Sequence, residues 1–422
     1  MAPTPDWQRD LAIVHEIMRD VSRQSDPLEL VRVYSQGVRR LRSVDRLVSV
    51  SRRGLGAPWY RVTRNSSWAE QPDPWRQRDR LPLLREGLLG ELLYAGEPRI
   101  ITELNVPESD PTREHFEGMR ALYTLPQWDD GVVLNMSFIM YRDPANIDPA
   151  QYPNQLWQAN LFGRTTANLV LRKDLREAYD RLDREMRIVG DIQRSLLPTD
   201  LPEIPGLDLA AYYQTSTQAG GDYYDLFALP GGQWGTFIAD VSGHGTPAAV
   251  LMAVTHAIAH AYPGPCMPPA AVMSHLNTVL SRHYTNGNGS FVTAFYGVFD
   301  PGRRTLTYAR AGHNPPRFGS GGSVTALDAV GSLPLGILPD TSYDEQTVTL
   351  APGDTLLFYT DGITEAMNSD GELFGESRLD SRLAAYNGPA AGLIESLLAD
   401  VRAFEGERPP LDDRTLLAAR VR

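Results

Sequence analysis

Residues 156–197 contain no proline, although the whole chain has 32, and this segment most strongly constrains how the chain folds. Large side chains recur in it at heptad spacing, namely Leu175, Leu182, Val189 and Leu196, with Tyr179, Met186 and Gln193 four residues after the first three. Such a seam is typical of a coiled coil, although an amphipathic helix packed on its own domain shows the same pattern. We favour a coiled-coil linker helix over residues 156–200, because the segment joins two folded regions and is charged on its other faces.

Composition excludes several classes of protein. A length of 422 residues suggests two or three domains with buried cores. The formal net charge of −12 argues against a nucleic-acid-binding protein, which would normally carry a basic face. The single cysteine, Cys266, argues against disulfides and favours a reducing, cytoplasmic location. The segment MAPTPDWQRD lacks the apolar core of a signal peptide, and no apolar run is long enough to span a membrane.

The region before the linker is predicted to hold a helix and a mixed domain. Residues 1–30 carry apolar side chains at helical spacing. Residues 31–155 combine strand-like alternation, as in RLVSVSRR and GVVLNMSFIMYR, with a helix that we expect to end at Gly96. This mixture indicates an α+β domain. The stretch LPLLREGLLGELLYAGEPRIITEL, followed by a late apolar strand, resembles a GAF sensory domain, which implies a small bound ligand or a dimer contact.

Residues 201–422 read as a sheet-rich α+β domain in which acids stand at the edges of apolar strands. The acids are Asp222 in GGDYYD, Asp240 in FIADVSGHG, Asp361 in LLFYTDGITEA, and Asp412 and Asp413 in LDDRTLLAARVR. Each alone is also a common turn residue. Together they match the oxygen donors that Mg(II) and Mn(II) prefer, and the glycines beside three of them allow close approach of the backbone.

These motifs occur in the order seen in a known family. The stretches IQRSLLPTDLPEIPGLDLAAYYQTSTQAGGDYYD, FIADVSGHGTPAAVLMA, FVTAFYGVFD, TYARAGHNPP, LPLGI, LLFYTDGITEAMNSDGELFGESRL and DDRTLL resemble the PPM-type serine/threonine phosphatases of the sporulation stage II protein E (SpoIIE) subclass. The resemblance covers nearly all of residues 190–422. It implies two sheets packed face to face with helices outside, an α-β-β-α sandwich, and two Mn(II) or Mg(II) ions at one edge.

The resemblance also assigns roles to individual residues. It implies that Asp240 bridges the two metal ions and that the carbonyl of Val241 helps to hold one. Further metal ligands would be Asp222, Asp361 and Asp412, with the neighbouring Asp413 as second choice. The implied reaction is attack of a metal-activated water on a phosphoserine or phosphothreonine, with Asp240 and Asp361 at the catalytic centre.

Two sets of histidines are less clearly assigned. His244, in VSGHG, is a candidate general acid, but the subclass can carry lysine at that place, and His244 would also suit the start of a helix. His256 and His260 lie four residues apart on a predicted helix, a spacing that can bind a metal. With no third ligand evident in the sequence, we interpret them as a helix face.

The sequence therefore predicts a cytoplasmic, homodimeric sensor phosphatase. By resemblance, its substrate would be a phosphorylated STAS-type anti-sigma-factor antagonist, and a small ligand at the GAF-like domain would control it. No nucleic acid and no membrane are expected as partners. The alternative is a catalytically silent pseudophosphatase that acts as a ligand-responsive binding module.

Overall fold

The computed structural model describes residues 7–263, 267–287 and 289–422, so that Cys266 lies outside the described residues. The chain divides into two compact units, Met1–Tyr179 and Asp180–Arg422. Among the described residues, no helix is both long enough and apolar enough to cross a bilayer.

The first unit combines helices with one antiparallel sheet. Its elements are α1 (Trp7–Ser22), α2 (Pro27–Leu41), β1 (Arg46–Ser51), β2 (Tyr60–Asn65), β3 (Leu83–Leu84), α3 (Leu88–Ala95), β4 (Ile100–Ile101), β5 (Ala121–Asp129) and β6 (Val132–Tyr141). The six strands lie in the order β3-β2-β1-β6-β5-β4. As expected, α3 ends at Gly96, whose φ of 69° is left-handed. The unit is an α+β domain, and its assignment as GAF-like stays a prediction.

The linker is a single helix, α4 (Tyr152–Arg194), and the boundary between the two units falls within it. In the first unit the seam residues Leu175 and Tyr179 are exposed, at 53% and 64%. Nearer the end of the helix, in the second unit, Gln193 is only 3% exposed because it hydrogen-bonds to Gly220. The predicted helix is confirmed, and its pairing as a coiled coil stays a prediction.

The second unit is built from two five-stranded antiparallel sheets. Its strands are β7 (Leu207–Gln214), β8 (Tyr223–Ala228), β9 (Trp234–Val241), β10 (Val292–Asp300), β11 (Thr305–Ala311), β12 (Arg317–Ser320), β13 (Ser323–Ala326), β14 (Gln346–Thr349), β15 (Thr355–Tyr359) and β16 (Arg414–Val421). Its helices after α4 are α5 (Thr246–His260), α6 (Pro269–His283), α7 (Asp361–Thr364), α8 (Gly375–Ala385) and α9 (Ala390–Glu405). One sheet has the order β14-β11-β10-β9-β8 and the other β13-β12-β15-β16-β7.

Alternation along the strands explains the layering of this unit. In β15, Leu356 and Phe358 belong to the core between the sheets, whereas Leu357 and Tyr359 belong to the core beneath α8 and α9. Helices α5 and α6 cover the outer face of the other sheet. Because central strands are buried on both faces, they read as continuous apolar runs. This arrangement confirms the predicted α-β-β-α sandwich.

Antiparallel pairing brings all the predicted acids to one edge of the sandwich. The start of β8 lies beside the end of β9, where Tyr223 pairs with Ala239. In the other sheet the end of β15 lies beside the start of β16, where Tyr359 pairs with Leu416. The residues just before or after these strand ends therefore meet at the same edge.

Candidate active site

Asp222 belongs to the first sheet, but its carboxylate is held by the second. Its Oδ2 accepts hydrogen bonds from the hydroxyls of Thr360 (2.7 Å) and Thr415 (2.6 Å). Asp222 itself is 1% exposed. Both hydroxyls donate to Oδ2, so Oδ1 is the oxygen that would meet a cation. The orientation of this carboxylate is thus set by the threonines of the TDG and DD-x-T motifs.

Asp413 positions the segment that leads into Asp222. Its Oδ2 accepts from the backbone N–H of Gly221 (2.6 Å), and its Oδ1 accepts from the backbone N–H of Ser216 (2.8 Å). A Cβ on Gly220 would lie 2.1 Å from Asp413 Oδ2, so only glycine allows this approach. Both carboxylate oxygens of Asp413 are therefore engaged by the chain itself.

Close backbone approach also brings Val241 to the site. A Cβ on Gly221 would lie 2.6 Å from the carbonyl oxygen of Val241 and 3.3 Å from Asp240 Oδ1. The N–H of Val241 donates to the carbonyl of Gly221 (3.3 Å). Neither glycine has a positive φ, so the GG pair serves close packing of backbones rather than a left-handed turn. The Val241 carbonyl thus lies close to Gly221 and Asp240 Oδ1, and its role as a metal ligand stays a prediction.

The carboxylates repel one another in a poorly solvated place. Burial, and then the charges of Asp222 and Asp361, raise the pKa of Asp240 to about 9. Burial, followed by the charge of Asp412, raises the pKa of Asp361 to about 6. Burial also raises the pKa of Asp222 well above the usual range, although the bond from Thr415 opposes the rise. These acids can all be ionised together only if cations bind among them and offset their negative charge.

Asp412 and His244 lie at the open side of the cluster, and both are exposed. Burial raises the pKa of Asp412, and the nearby imidazole of His244 acts against that rise. His244 precedes α5 in an exposed loop after β9. The structure thus brings all the predicted site residues together at one edge, with His244 at the rim.

The donor set fits hard divalent cations. The five aspartates at this edge offer carboxylate oxygens, and Val241 adds a carbonyl oxygen. Mg(II) and Mn(II) prefer such oxygen ligands. The raised pKa values of Asp240 and Asp361 show that the acids lack compensating charge in the chain itself. Divalent cations would supply it.

The second unit resembles known proteins in sequence and in fold. A model of the family described as "Stage II sporulation protein E (SpoIIE)" matches residues 230–422. These residues form a SpoIIE-family domain. The fold of this domain also matches the SiaA-PP2C domain of Pseudomonas aeruginosa, with a TM-score of 0.52 and 24% identity over 58% of this chain and 98% of that one. The sequence-based recognition of the SpoIIE subclass is confirmed.

Curated relatives of the SpoIIE-family domain are longer than the matched part. Phosphoserine phosphatase RsbU of Bacillus subtilis is 32% identical over 200 residues, which is 47% of this chain and 59% of that protein. Protein IcfG of Synechocystis is 24% identical over 284 residues, which is 61% of this chain and 44% of that protein. The chain thus spans about half the length of the curated relatives it matches.

Sequence reasoning missed the residues that hold the SpoIIE-family site in place. Thr360 and Thr415 lie inside motifs that the sequence singled out, but only their acids received a role. Gln193 was predicted to be part of the heptad seam, yet its amide donates to the carbonyl of Gly220 (2.5 Å) and its Oε1 accepts from the N–H of Gly220 (2.9 Å). A polar residue at a seam position was the available signal.

The structure places a third side chain beside His256 and His260, which were interpreted from the sequence as a helix face with no third ligand evident. Asp225, which the sequence left without a role, supplies the third side chain that was not evident. It comes from β8, a strand distant in sequence from the helix, so only tertiary structure reveals it.

Proposed function

We propose that this protein is a metal-dependent protein serine/threonine phosphatase. The convergence of Asp222, Asp240, Asp361, Asp412 and Asp413 at one edge of the two sheets is the observation that carries this proposal. A cluster of acids on a SpoIIE-family fold, with raised pKa values at Asp240 and Asp361, suits a site for divalent cations. The cluster is difficult to explain as support for the fold, because uncompensated buried acids destabilise it.

Two cations, Mn(II) or Mg(II), would be held by Asp222, Asp240, Asp361 and Asp412, with the Val241 carbonyl as a further donor. Asp413 is the second choice, because both of its oxygens already accept hydrogen bonds from the chain. When bound, the cations would activate water for attack and offset the negative charge of the phosphoryl group.

The chain's own residues would orient the site and move a proton. Thr360 and Thr415 fix the carboxylate of Asp222, and Asp413 fixes the backbone at Gly221. His244, exposed beside Asp412, would give a proton to the leaving serine or threonine oxygen. Its exposure also allows a protein substrate to reach it.

The proposed substrate is a phosphorylated STAS-type anti-sigma-factor antagonist. Two relatives, RsbU and RsbP of Bacillus subtilis, are named phosphoserine phosphatases, and this supports a phosphoserine or phosphothreonine on a protein. A cytoplasmic location, as predicted from the cysteine content, belongs to the same proposal.

Control by the first unit is part of the proposal. A small ligand at the GAF-like domain would act through α4, whose last turns contact the segment before Asp222. Leu175, Tyr179 and Leu182 form an exposed apolar seam on this helix, at 53%, 64% and 57% exposure, and this supports a homodimer.

The test is hydrolysis of a chromogenic phosphate ester and of a phosphorylated STAS-type protein, each with manganese. We expect Asp240→Asn to lower kcat/KM at least about 100-fold, because even an outer partner of a metal ligand is commonly worth 10- to 100-fold. The matched control is Asp300→Asn, at the opposite edge of the same sheet, which should keep full activity.

Two outcomes would contradict the proposal. If Asp240→Asn keeps wild-type activity, the metal assignment is wrong. If the wild-type protein hydrolyses neither substrate with any divalent cation but binds the phosphorylated protein, the chain is instead the pseudophosphatase considered above.

A further inference from the structure

A cluster of two histidines and an aspartate lies outside the acidic site. Asp225 is on β8, and His256 and His260 are one turn apart on α5. Since residues of a strand alternate between its faces, Asp225 points to the side of the sheet opposite to Asp222, towards α5. The side chains of Asp225, His256 and His260 are 11%, 23% and 41% exposed, so the cluster is half-buried and open to solvent on one side.

The three groups are already close to the geometry of a metal site. His260 Nε2 lies 2.6 Å from Asp225 Oδ2, and His256 Nδ1 lies 4.0 Å from the same oxygen. All three possible ligand atoms are within 4.8 Å of one another. Tetrahedral zinc, with bonds of about 2.0–2.2 Å, separates its ligand atoms by roughly 3.3–3.5 Å. The His260–Asp225 distance must lengthen and the His256–Asp225 distance must shorten, each by less than about 1 Å. The ligand atoms of the two histidines lie within 4.8 Å of each other, and rotation of their side chains would bring them to the required separation.

A second layer of contacts holds the aspartate in place. The hydroxyl of Tyr223 donates to Asp225 Oδ2 (2.7 Å) and lies 2.9 Å from His256 Nδ1. The N–H of Leu226 donates to Asp225 Oδ1 (2.7 Å). Hydrogen bonds of this kind orient the ligands of metal sites and tune their affinity. With a cation on His256 Nδ1, Tyr223 would keep its bond to Asp225.

We propose that Asp225, His256 and His260 bind a zinc-class divalent cation at a site separate from the acidic centre. Two imidazoles and one carboxylate are typical ligands of Zn(II), and of Co(II) and Ni(II), whereas Mg(II) and Mn(II) prefer oxygen alone. The fourth coordination position faces solvent. The cation joins α5, which follows the loop after Val241, to β8, which follows Asp222, and so it stabilises this corner of the domain.

The test measures zinc bound to the full-length protein by equilibrium dialysis and elemental analysis, with millimolar Mg(II) present to occupy the acidic centre. We expect one zinc per chain in the wild type and in Asp240→Asn. His256→Gln and His260→Gln should each weaken zinc binding at least tenfold, and Tyr223→Phe should weaken it by about 10- to 100-fold. His283→Gln, at an exposed histidine at the end of α6, is the matched control and should bind zinc like the wild type.

Two further measurements separate binding at this cluster from loss of folding. Zinc should raise the Tm of the wild type and leave that of His260→Gln unchanged; this variant is expected to fold because the side chain is 41% exposed. Co(II) should give visible absorption bands in the wild type that are absent in His260→Gln. If His260→Gln binds zinc as tightly as the wild type, or if the wild type binds none at micromolar zinc, the cluster is a hydrogen-bonded triad and the proposal is overturned.

Discussion

The carboxylate of Asp222 depends on two hydroxyls for both its charge and its direction. Thr360 and Thr415 are each fully buried and donate to the same oxygen, and the N–H of Thr415 donates in turn to the hydroxyl of Thr360 (2.9 Å). Burial alone favours the protonated acid, and these bonds favour the ionised one. On the function proposed above, the two threonines would prepare Asp222 to bind a cation.

Thr415→Val should keep the shape of this site and lose one of the two hydrogen bonds. We expect the manganese concentration for half-maximal activity to rise about 10- to 100-fold, because the ligand becomes harder to ionise and less well oriented. Thr415→Ser, which keeps the hydroxyl, should need only slightly more manganese than the wild type. An unchanged manganese requirement in Thr415→Val would show that the bond has no part in metal binding.

At the scale of elements, the last turns of α4 contact the segments that carry the acids. A Cβ on Gly190 would lie 2.0 Å from the carbonyl oxygen of Gln218, so the helix and this segment touch backbone to backbone. Gln193 forms two hydrogen bonds with Gly220. Thr246, at the start of α5, donates to the sulfur of Met186 (2.9 Å). A shift of this end of α4 would therefore move the segment from Gln218 to Gly220 that leads into Asp222.

Gln193→Ala removes both bonds to Gly220 while leaving the acids unchanged. We expect kcat/KM to fall by about 10- to 100-fold, since small misplacements of catalytic groups carry losses of this size. Arg194→Ala, at a neighbouring side chain that is 65% exposed, is the matched control and should retain activity. Equal rates for Gln193→Ala and the wild type, measured at saturating manganese, would show that the contact between Gln193 and Gly220 has no part in catalysis.

The elements differ in how well the sequence predicted them. Apolar runs such as TLLFY in β15 and the motif acids were predictable, because local pattern and motif order define them. Strand β5 was not predicted, because Pro126 lies within it and proline is unusual inside a strand. On the side that faces β4, only Leu122 and Tyr123 of β5 are paired, so the N–H that Pro126 lacks would have had no partner strand there. The positioning role of Asp413 and the grouping of Asp225 with His256 were also hidden, because they depend on contacts between distant segments.

At the scale of the whole molecule, the acidic edge makes stability depend on pH. The pKa of Asp240 is raised to about 9 and that of Asp361 to about 6, from the ordinary value of 3.8 that we take for the unfolded chain. At a pH between the pKa of a group in the unfolded chain and its pKa in the folded protein, the folded metal-free protein binds more protons than the unfolded chain. Its free energy of unfolding therefore falls as the pH rises from 3.8 towards 9.

Asp240→Asn should remove part of this dependence. In the presence of a chelator at pH 8, we expect the Tm of Asp240→Asn to exceed that of the wild type by about 2–4 °C for each kcal/mol of repulsion relieved, and the difference to vanish near the ordinary pKa of aspartate. Thermal melts across this pH range check it, with Asp300→Asn as the control that gains nothing. A variant that melts no higher than the wild type at pH 8 would contradict the repulsion described here.

The two sheets contribute different parts of one centre, with Asp222 and Asp240 from one and Asp361 and Asp412 from the other. A chain in which the sheets have not yet closed on each other has no such centre, so cations would bind only to the finished domain and would add their binding free energy to its stability. When the free cation concentration is a hundred times the dissociation constant, the added stability is about 2.7 kcal/mol. We expect the amount of intact protein in a cell, and not only its turnover, to follow the supply of the cation, because a poorly supplied chain opens more often and meets proteases more often.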